Sequence, residues 1–385
     1  MPLPRVSISF TDGALGIPPD NTDGLIVAVF EKTNGATYGT MTDNVAYKVT
    51  SLANFKTLGT TDAKLLAWVT DFYAEADSGT PVWLVVMTSA ATGWFGGQSA
   101  VLLKALRDTG NTATAMFFMP STITTALTFG TMVSNCNTFM SAYLESDNNP
   151  CFGVIDYQAY TLATMPTNLT VGTLRVAGYV GKNSTSVSNS GAFAGRYAGS
   201  PIYRNAGYVG DGAVNLKSGV PYQGAVLVSA MTDTSAINDA RFNTLRTYNG
   251  KSGYYFVDAL MLGSATSDYS TITARRTIDK AYRIAFDTLT NYLLLEIPTT
   301  ASGAITAQKA KSIEADLRAV FKRLMTDKGE LSIDPTVDGD IGVRVQVDTA
   351  YNVLSNSRLK LTSLQVKPFG YARFIDVPLG FIPLT

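Results

Sequence analysis

The chain has 385 residues, enough for two or three domains or one enlarged domain, and its thirty Lys plus Arg balance thirty Asp plus Glu, so no basic excess points to nucleic acid. It contains no histidine, which removes Ser-His-Asp and Cys-His catalysis, nearly all zinc sites and the near-neutral proton shuttle. Only 16% of residues are charged while 46% are hydrophobic, a balance that leaves apolar surface to be covered by other protein and favours an assembly.

Cys136 and Cys151 lie in apolar company and predict buried, reduced thiols rather than a disulfide framework. The opening MPLPRVSISF lacks the charged start and long apolar core of a signal peptide. No apolar run reaches the roughly 18 residues of a membrane span. Folding in the cytoplasm, without insertion into a membrane, is therefore expected.

Taken in chain order, Val6, Ile8 and Phe10 alternate with Ser7 and Ser9, the period-two signature of a short strand. Asp12-Gly13 and Pro18-Pro19 behind it make a stiff, irregular linker. Leu25 to Phe30 (LIVAVF) is apolar on both faces and predicts a central strand. Leu65, Val69, Phe72 and Ala76 form one helical stripe that starts near Thr61 and stops at Ser78-Gly79-Thr80-Pro81. Val82 to Met87 (VWLVVM) then predicts a buried strand. Further strands at Ala115 to Met119, Cys151 to Asp156, Ala225 to Ser229 and Tyr254 to Asp258 interleave with helices over Phe129 to Glu145 and Ser235 to Tyr248. That alternation argues for an α/β core with a largely parallel sheet.

Between Leu169 and Gly224 the chain is rich in Gly, Ser, Asn and Tyr, and Lys182 to Gly195 (KNSTSVSNSGAFAG) approaches low complexity, which predicts a loop or surface insertion. Two amphipathic helices follow. The first, over Thr273 to Glu296, carries Ile278, Tyr282, Ala285, Leu289 and Leu293 on one stripe. The second, over Thr306 to Asp327, carries Ala310, Ile313, Leu317, Val320 and Leu324, with Gly329 as its left-handed stop. Strands at Ile341 to Val347, Leu359 to Val366 and Tyr371 to Ile382 close the chain. Pro378 interrupts the last, which suits an edge or an arm reaching outside its own domain.

Four clusters imitate functional motifs and fail on spacing. Asn249-Gly250-Lys251-Ser252-Gly253 holds the Gly-Lys-Ser end of a phosphate loop, but Leu245 stands where that loop needs glycine, and a strand rather than a helix follows. Gly207, Gly210 and Gly212 reverse the dinucleotide fingerprint. Asp334, Asp338 and Asp340 lack calcium-loop spacing and predict a solvated turn. Asp71, Glu75 and Asp77, near Trp68 and Trp83, supply carboxylates for a glycosidase pair, but neighbours at one helix end seldom face each other across a cleft. No catalytic, cofactor-binding or metal site is expected.

Gly13-Ala14-Leu15-Gly16 with Asp23-Gly24-Leu25, and Asp71-Phe72-Tyr73 ahead of Val82-Trp83-Leu84, resemble the opening of contractile tail sheath proteins of phages and related injection systems, especially a Bacteroides-type sheath-like family. The later match is stronger. It comprises Ala194-Gly195-Arg196-Tyr197-Ala198 with Pro201, Ser252-Gly253-Tyr254-Tyr255-Phe256, Ser267-Asp268-Tyr269-Ser270, the run from Arg275 to Arg283 (RRTIDKAYR), and Gly370-Tyr371-Ala372 with Pro378-Leu379-Gly380-Phe381, all in the family's order. The resemblance spans nearly the whole chain and rests on order and spacing. At the start, Pro4-Arg5-Val6-Ser7-Ile8 replaces the family's usual Pro-Gly-Val-Tyr type of arm.

The resemblance implies an α/β fold, with a mixed sheet flanked by helices in a sheath-type carboxy-terminal core, an exposed inserted α/β domain and strand-donating terminal arms. Its parts map to an arm and linker over 1–22, the first part of the core over 23–60, the exposed domain with its Gly/Ser-rich insertion over 61–248, the core over 249–367 and a second arm over 368–385. It implies a structural subunit that polymerises helically around an inner tube and contracts to drive the tube through a target membrane, with no catalysis and no cofactor. The setting would be a phage virion tail, a contractile injection particle or a type VI secretion-like apparatus. Strand donation to neighbouring subunits falls on Val6, Ile8 and Phe10 at one end and on Tyr371, Phe374, Ile375 and Val377 at the other, since added strands gain main-chain hydrogen bonds and select register through alternate side chains. Contact with the inner tube falls on the polar segment Asp348 to Arg358, through Asn352, Asn356 and Arg358. The implied partners are many copies of the same chain in a helical sheath, the inner tube protein, and baseplate and tail-terminator proteins, with no nucleic acid. The alternatives are a noncontractile tail or shell protein and a carboxylate-dependent carbohydrate-active enzyme.

Overall fold

In the computed structural model, which describes residues 22–161, 165–166, 169, 174–183, 187–231 and 233–379, the LIVAVF run folds as strand β1 (Ile26–Glu31). In chain order there follow β2 (Ala46–Val49), α1 (Leu52–Lys56), α2 (Ala63–Glu75), β3 (Val82–Met87), α3 (Ser99–Asp108), β4 (Ala115–Met119), α4 (Ala126–Asp147), β5 (Phe152–Asp156) and β6 (Val176–Tyr179). Next come α5 (Ser190–Gly199), the short strands β7 (Tyr222–Gln223) and β8 (Val226–Leu227), α6 (Ser235–Asp239), β9 (Phe242–Asn243), β10 (Leu245–Tyr248), β11 (Lys251–Phe256) and α7 (Ile272–Thr290). The elements close with α8 (Ala307–Phe321), β12 (Val343–Val347), α9 (Val353–Asn356) and β13 (Leu361–Val366).

Among the described residues, seven strands form one sheet in the order β2-β3-β1-β4-β5-β6-β9. All neighbours are parallel except β2, which runs antiparallel to β3 at the edge. The double-sided apolar character of β1 has its reason here. Ile26, Ala28 and Phe30 join one core with Trp68 and Phe72 of α2 and Phe193 of α5, while Val27 and Val29 join another with Leu102 and Leu106 of α3 and Phe129 of α4. A sheet covered by helices on both faces needs strands apolar on both. β1, from the segment 23–60, is hydrogen-bonded on both sides to strands of the segment 61–248.

The Gly/Ser-rich stretch expected as a surface loop contains instead a central strand, β6, and a buried helix, α5, in which Ser190 through Ala198 are all buried. Its small residues serve packing. At Gly191 a Cβ would stand 2.2 Å from the Trp68 carbonyl oxygen, and at Gly195 one would stand 2.3 Å from that of Phe72. The low complexity is therefore the signature of two helices, α5 and α2, in backbone-to-backbone approach. Trp68 Nε1 reaches across to Ser190 Oγ at 3.1 Å.

The helix expected over 235–248 ends at Asp239. Arg241 takes a left-handed φ of 66°, and Phe242 then enters the sheet beside Gly178, where a Cβ would lie 2.7 Å from its ring. β10 and β11 form a hairpin with Tyr248 opposite Lys251. Asn249-Gly250 is its two-residue turn, with positive φ at Gly250 alone, 74°, the second central position at which a type II turn requires it.

The chain divides into two compact units at Arg283/Ile284, within α7. In the second unit α8 ends in a π-helical turn over Lys322–Thr326, and Gly329 follows at φ 68°. Val343, Val345 and Val347 of β12 are buried while Arg344 and Gln346 are exposed, the alternation of a sheet with one covered face. β13 pairs antiparallel with β12. No strand forms over residues 367–379, so the last strand expected from Tyr371 is absent from the described part of the chain.

Candidate assembly surfaces

In a doubly wound parallel sheet, ligands bind outside the carboxyl ends of the strands where the winding reverses. The parallel strands here run β3-β1-β4-β5-β6, so the reversal lies between β1 and β4. Glu31, the last residue of β1, occupies that position. One of its oxygens, Oε2, accepts the Ser121 N–H at 2.6 Å, the Thr122 N–H at 2.8 Å and the Thr122 hydroxyl at 3.1 Å. The cavity beside it, lined by Phe30, Asp62, Trp68, Met119 and Gln158, measures about 20 Å³. That is space for about one water, against the roughly 300 Å³ or more of a small-molecule site.

Asp156 ends β5 on the same edge of the sheet. It is fully buried, its Oδ2 accepts from Gln158 Nε2 at 3.0 Å, and its Oδ1 has no hydrogen-bond partner. Burial pushes this carboxyl up to about 7, partly opposed by the nearby Ser188 hydroxyl, the Gln158 hydrogen bond and the Lys182 charge. A buried carboxylate with an unmet oxygen favours its neutral form.

Of the carboxylates weighed as a glycosidase pair, Asp77 is exposed beyond the end of α2, while Asp71 and Glu75 are engaged in the fold. Asp71 accepts from the backbone N–H groups of Lys217 and Ser218, each at 2.9 Å, from Ser218 Oγ at 2.5 Å and from Asn183 Nδ2 at 2.6 Å. Its burial raises it, and these four donors oppose the rise. Glu75 takes Arg196 Nε at 2.6 Å and the Asn215 N–H at 2.5 Å. Both tie the 212–218 segment to α2. Asp334 accepts the Thr336 hydroxyl at 2.6 Å and the Thr336 N–H at 2.9 Å, and Asp340 accepts the N–H groups of Asp334 and Gly342, each at 2.8 Å, which holds both below the usual carboxylate range. Among the described residues no group of acidic or cysteine side chains is arranged to hold a metal ion. Cys136 and Cys151 are buried free thiols, both pushed up by burial.

The RRTIDKAYR run forms the first half of α7 and is a buried polar clamp in the first unit. Arg276 donates to the carbonyls of Ser200, Pro201 and Asp23 at 2.9, 3.3 and 3.2 Å, and its guanidinium lies 4.2 Å from the centre of the Tyr197 ring. Lys280 pairs with Asp23 at 2.5 Å, and Arg283 donates to the Pro150 carbonyl at 3.1 Å. Buried charges persist only when paired in this way.

In the second unit the two-stranded sheet has two outer edges. Along β12, Glu314 of α8 accepts the Val347 N–H at 2.9 Å, and Arg318 approaches the Val343 carbonyl at 3.5 Å. Side chains of α8 thereby occupy that edge. Along β13 no further strand lies beside the outer edge among the described residues. After β13 the chain runs out with Phe374, Ile375, Val377 and Leu379 exposed by 84, 79, 71 and 94%. Large apolar side chains this open are uncommon on the surface of a lone protein.

Residues 3–260 match the family described as DUF2586, N-terminal domain. The chain belongs to the DUF2586 family. No curated protein matches it. Among solved structures, the DUF2586 chain is similar to a chain of the anti-feeding prophage (AFP) baseplate in a 6-fold symmetrised cryo-EM structure, with a TM-score of 0.63, 14% identity and 99% of each chain covered. It is similar also to a chain of that baseplate in the contracted state, with a TM-score of 0.61, 13% identity, and 99% and 98% covered. At these identities the likeness is one of fold, here over essentially the full length of both chains.

Of the residues singled out from the DUF2586 sequence, Val6, Ile8 and Phe10 lie outside the described residues. Tyr371, Phe374, Ile375 and Val377 lie together on the exposed tail. Asn352 caps α9, accepting the Ser355 N–H at 2.8 Å and donating to the Ser302 carbonyl at 2.8 Å, and Asn356 donates back to the Asn352 carbonyl at 2.8 Å. Arg358 is exposed just beyond. Among the described residues no helix is long and apolar enough to cross a membrane. Sequence reasoning passed over Glu31, although an acidic residue closing an apolar strand was a visible signal.

Proposed function

We propose that this protein is a structural subunit of a contractile injection-type particle, in which copies of the chain polymerise as a sheath around an inner tube. The observation that carries the reading is the full-length fold likeness to chains of a contractile baseplate, one of them in its contracted state. Two features of the chain support it. Glu31 fills the ligand crevice of the sheet, which suits a scaffold, and the second unit carries both an apolar tail and a sheet edge.

In this reading the tail of one copy, with Tyr371, Phe374, Ile375 and Val377, adds as a strand to the β13 edge of another. The amino-terminal Val6, Ile8 and Phe10 act likewise. A head-to-tail contact of this kind does not close on itself and generates a helical filament. Arg358, rather than the two asparagines engaged in the α9 turn, is then the side chain of that segment offered to an inner tube. Catalysis has no part in this function.

A second reading, a ring-forming baseplate component, draws on the assemblies in which the similar chains were solved. Negative-stain electron microscopy of the purified chain separates the two. Hollow tubes with a helical surface are expected for a sheath, closed rings for a baseplate part. Monomers at every concentration, with or without a tube protein, would refute both.

A further inference from the structure

We infer that the first unit carries an oxyanion-binding pocket built on Arg175 and Arg275. The pocket measures about 360 Å³ and is lined in part by Asn137, Ser141, Tyr269 and Asp279. This is about eighteen times the cavity beside Glu31 and falls in the size range of small-molecule sites.

Two guanidiniums here share one carboxylate. Arg275 Nη2 holds Asp279 Oδ1 at 2.7 Å, whereas Arg175 Nη1 stands 3.4 and 3.5 Å from the two Asp279 oxygens and gives a bond of 3.2 Å to the Cys151 carbonyl. Both arginines are more than nine-tenths buried, at 8% and 6% exposure. Among the described residues the Arg275 Nε–H is buried without an acceptor, and the hydrogen bonds of the Arg175 guanidinium all run through Nη1. Residues 162–173, which lead into Leu174 at the pocket wall, contain no Asp or Glu.

Among the described residues one negative charge therefore answers two buried positive ones. The cost shows on Arg275, which burial and then the Arg175 charge pull below the ordinary arginine value against the pull of Asp279. Tyr269 supports the guanidinium with its ring face, 4.4 Å from the ring centre. A carboxylate or phosphate entering the pocket would accept the unused N–H donors and restore neutrality, and paired guanidinium donors suit a planar or tetrahedral oxyanion. The anion is either free in solution or the acidic side chain of a neighbouring copy.

The test is a thermal unfolding comparison of the full chain in potassium phosphate and in potassium chloride at equal ionic strength. For a millimolar site, 20 mM phosphate is expected to raise the Tm by about 2–4 °C over chloride, and Arg275→Met to lose that rise. Should Arg275→Met fail to fold, Ser141→Glu places a carboxylate at the pocket wall, and is expected to raise the Tm in chloride and to abolish the response to phosphate. Equal Tm in the two salts, or an unchanged phosphate response in Ser141→Glu, would overturn the inference. Phosphate that binds and also blocks self-assembly assigns the anion to a neighbouring copy, and phosphate that binds with assembly unchanged assigns it to solution.

Discussion

Asp156 makes the stability of this protein fall as pH rises through neutrality. Its folded carboxyl is raised from 3.8 to about 7, chiefly by burial, so between those values the folded state binds a proton that the unfolded state has released. Stability then declines with pH, because the slope follows the protons bound unfolded minus those bound folded. The loss begins near pH 4 and is complete just above pH 7. Each tenfold difference in proton affinity between the two states is worth about 1.4 kcal/mol, and integrating from pH 5 to pH 8 gives a loss of about 2–3 kcal/mol. The lowered carboxylates Asp147, Glu314, Asp334 and Asp340 act with the opposite sign, but they are ionised in both states above pH 5. Asp71, raised by burial, acts with the same sign as Asp156, so the Asp156→Asn difference is what isolates this residue. Urea unfolding of both proteins at pH 5, 6, 7 and 8 is the assay. Relative to the wild type, Asp156→Asn is expected to gain about 2–3 kcal/mol in stability between pH 5 and pH 8. A wild-type stability that is flat over this range, or an Asp156→Asn protein with the same slope, would refute the reasoning.

Three further outcomes are expected. Gly195→Ala must push a Cβ away from the Phe72 carbonyl at 2.3 Å; overpacking of about 1–3 kcal/mol against a helix-propensity gain of about 1 should leave a net loss in urea melts. Gly199→Ala, where the nearest atom is at 3.5 Å, should stay within about 0.5 kcal/mol of wild type, and equal effects at the two sites would contradict the close approach of α5 and α2. Glu31→Ala removes the acceptor of the Ser121 and Thr122 N–H groups, which water can replace because both residues are exposed, and should cost about 0.5–1.5 kcal/mol, with Glu31→Gln retaining part of the bonding, again read from urea midpoints. Truncation after Arg373 removes Phe374 and all that follows while keeping every helix and strand of the described residues; it should leave the Tm nearly unchanged and abolish tubes by electron microscopy, and tubes of normal length would reject strand addition by the tail.

Much of the architecture was legible in the residues because periodicity is a local signal. The strands at Ile26, Val82, Ala115 and Phe152, the helix stripe from Leu65 to Phe72, the burial of both cysteines and the one-faced strand Val343–Val347 all follow from patterns a few residues long. The Asn249-Gly250 turn is equally local, but its Gly-Lys-Ser continuation draws the eye to phosphate-loop spacing rather than to turn chemistry. The helix from Ser235 stops short of its expected end because a left-handed Arg241 leaves no pattern in sequence.

What only the tertiary structure decided are relations between distant segments. Ser and Gly at 190–199 look like a loop until α2, more than a hundred residues earlier, supplies the surface that small side chains must approach. Glu31 becomes the plug of the crevice only because β4 pairs beside β1 and brings Ser121 within 2.6 Å. Arg175 and Arg275 share Asp279 because β6 and α7 converge across a hundred residues of chain. Local periodicity selects helix or strand for each segment, whereas strand order, helix approach and charge pairing follow from minimising the surface and the unpaired polar groups of the whole chain at once.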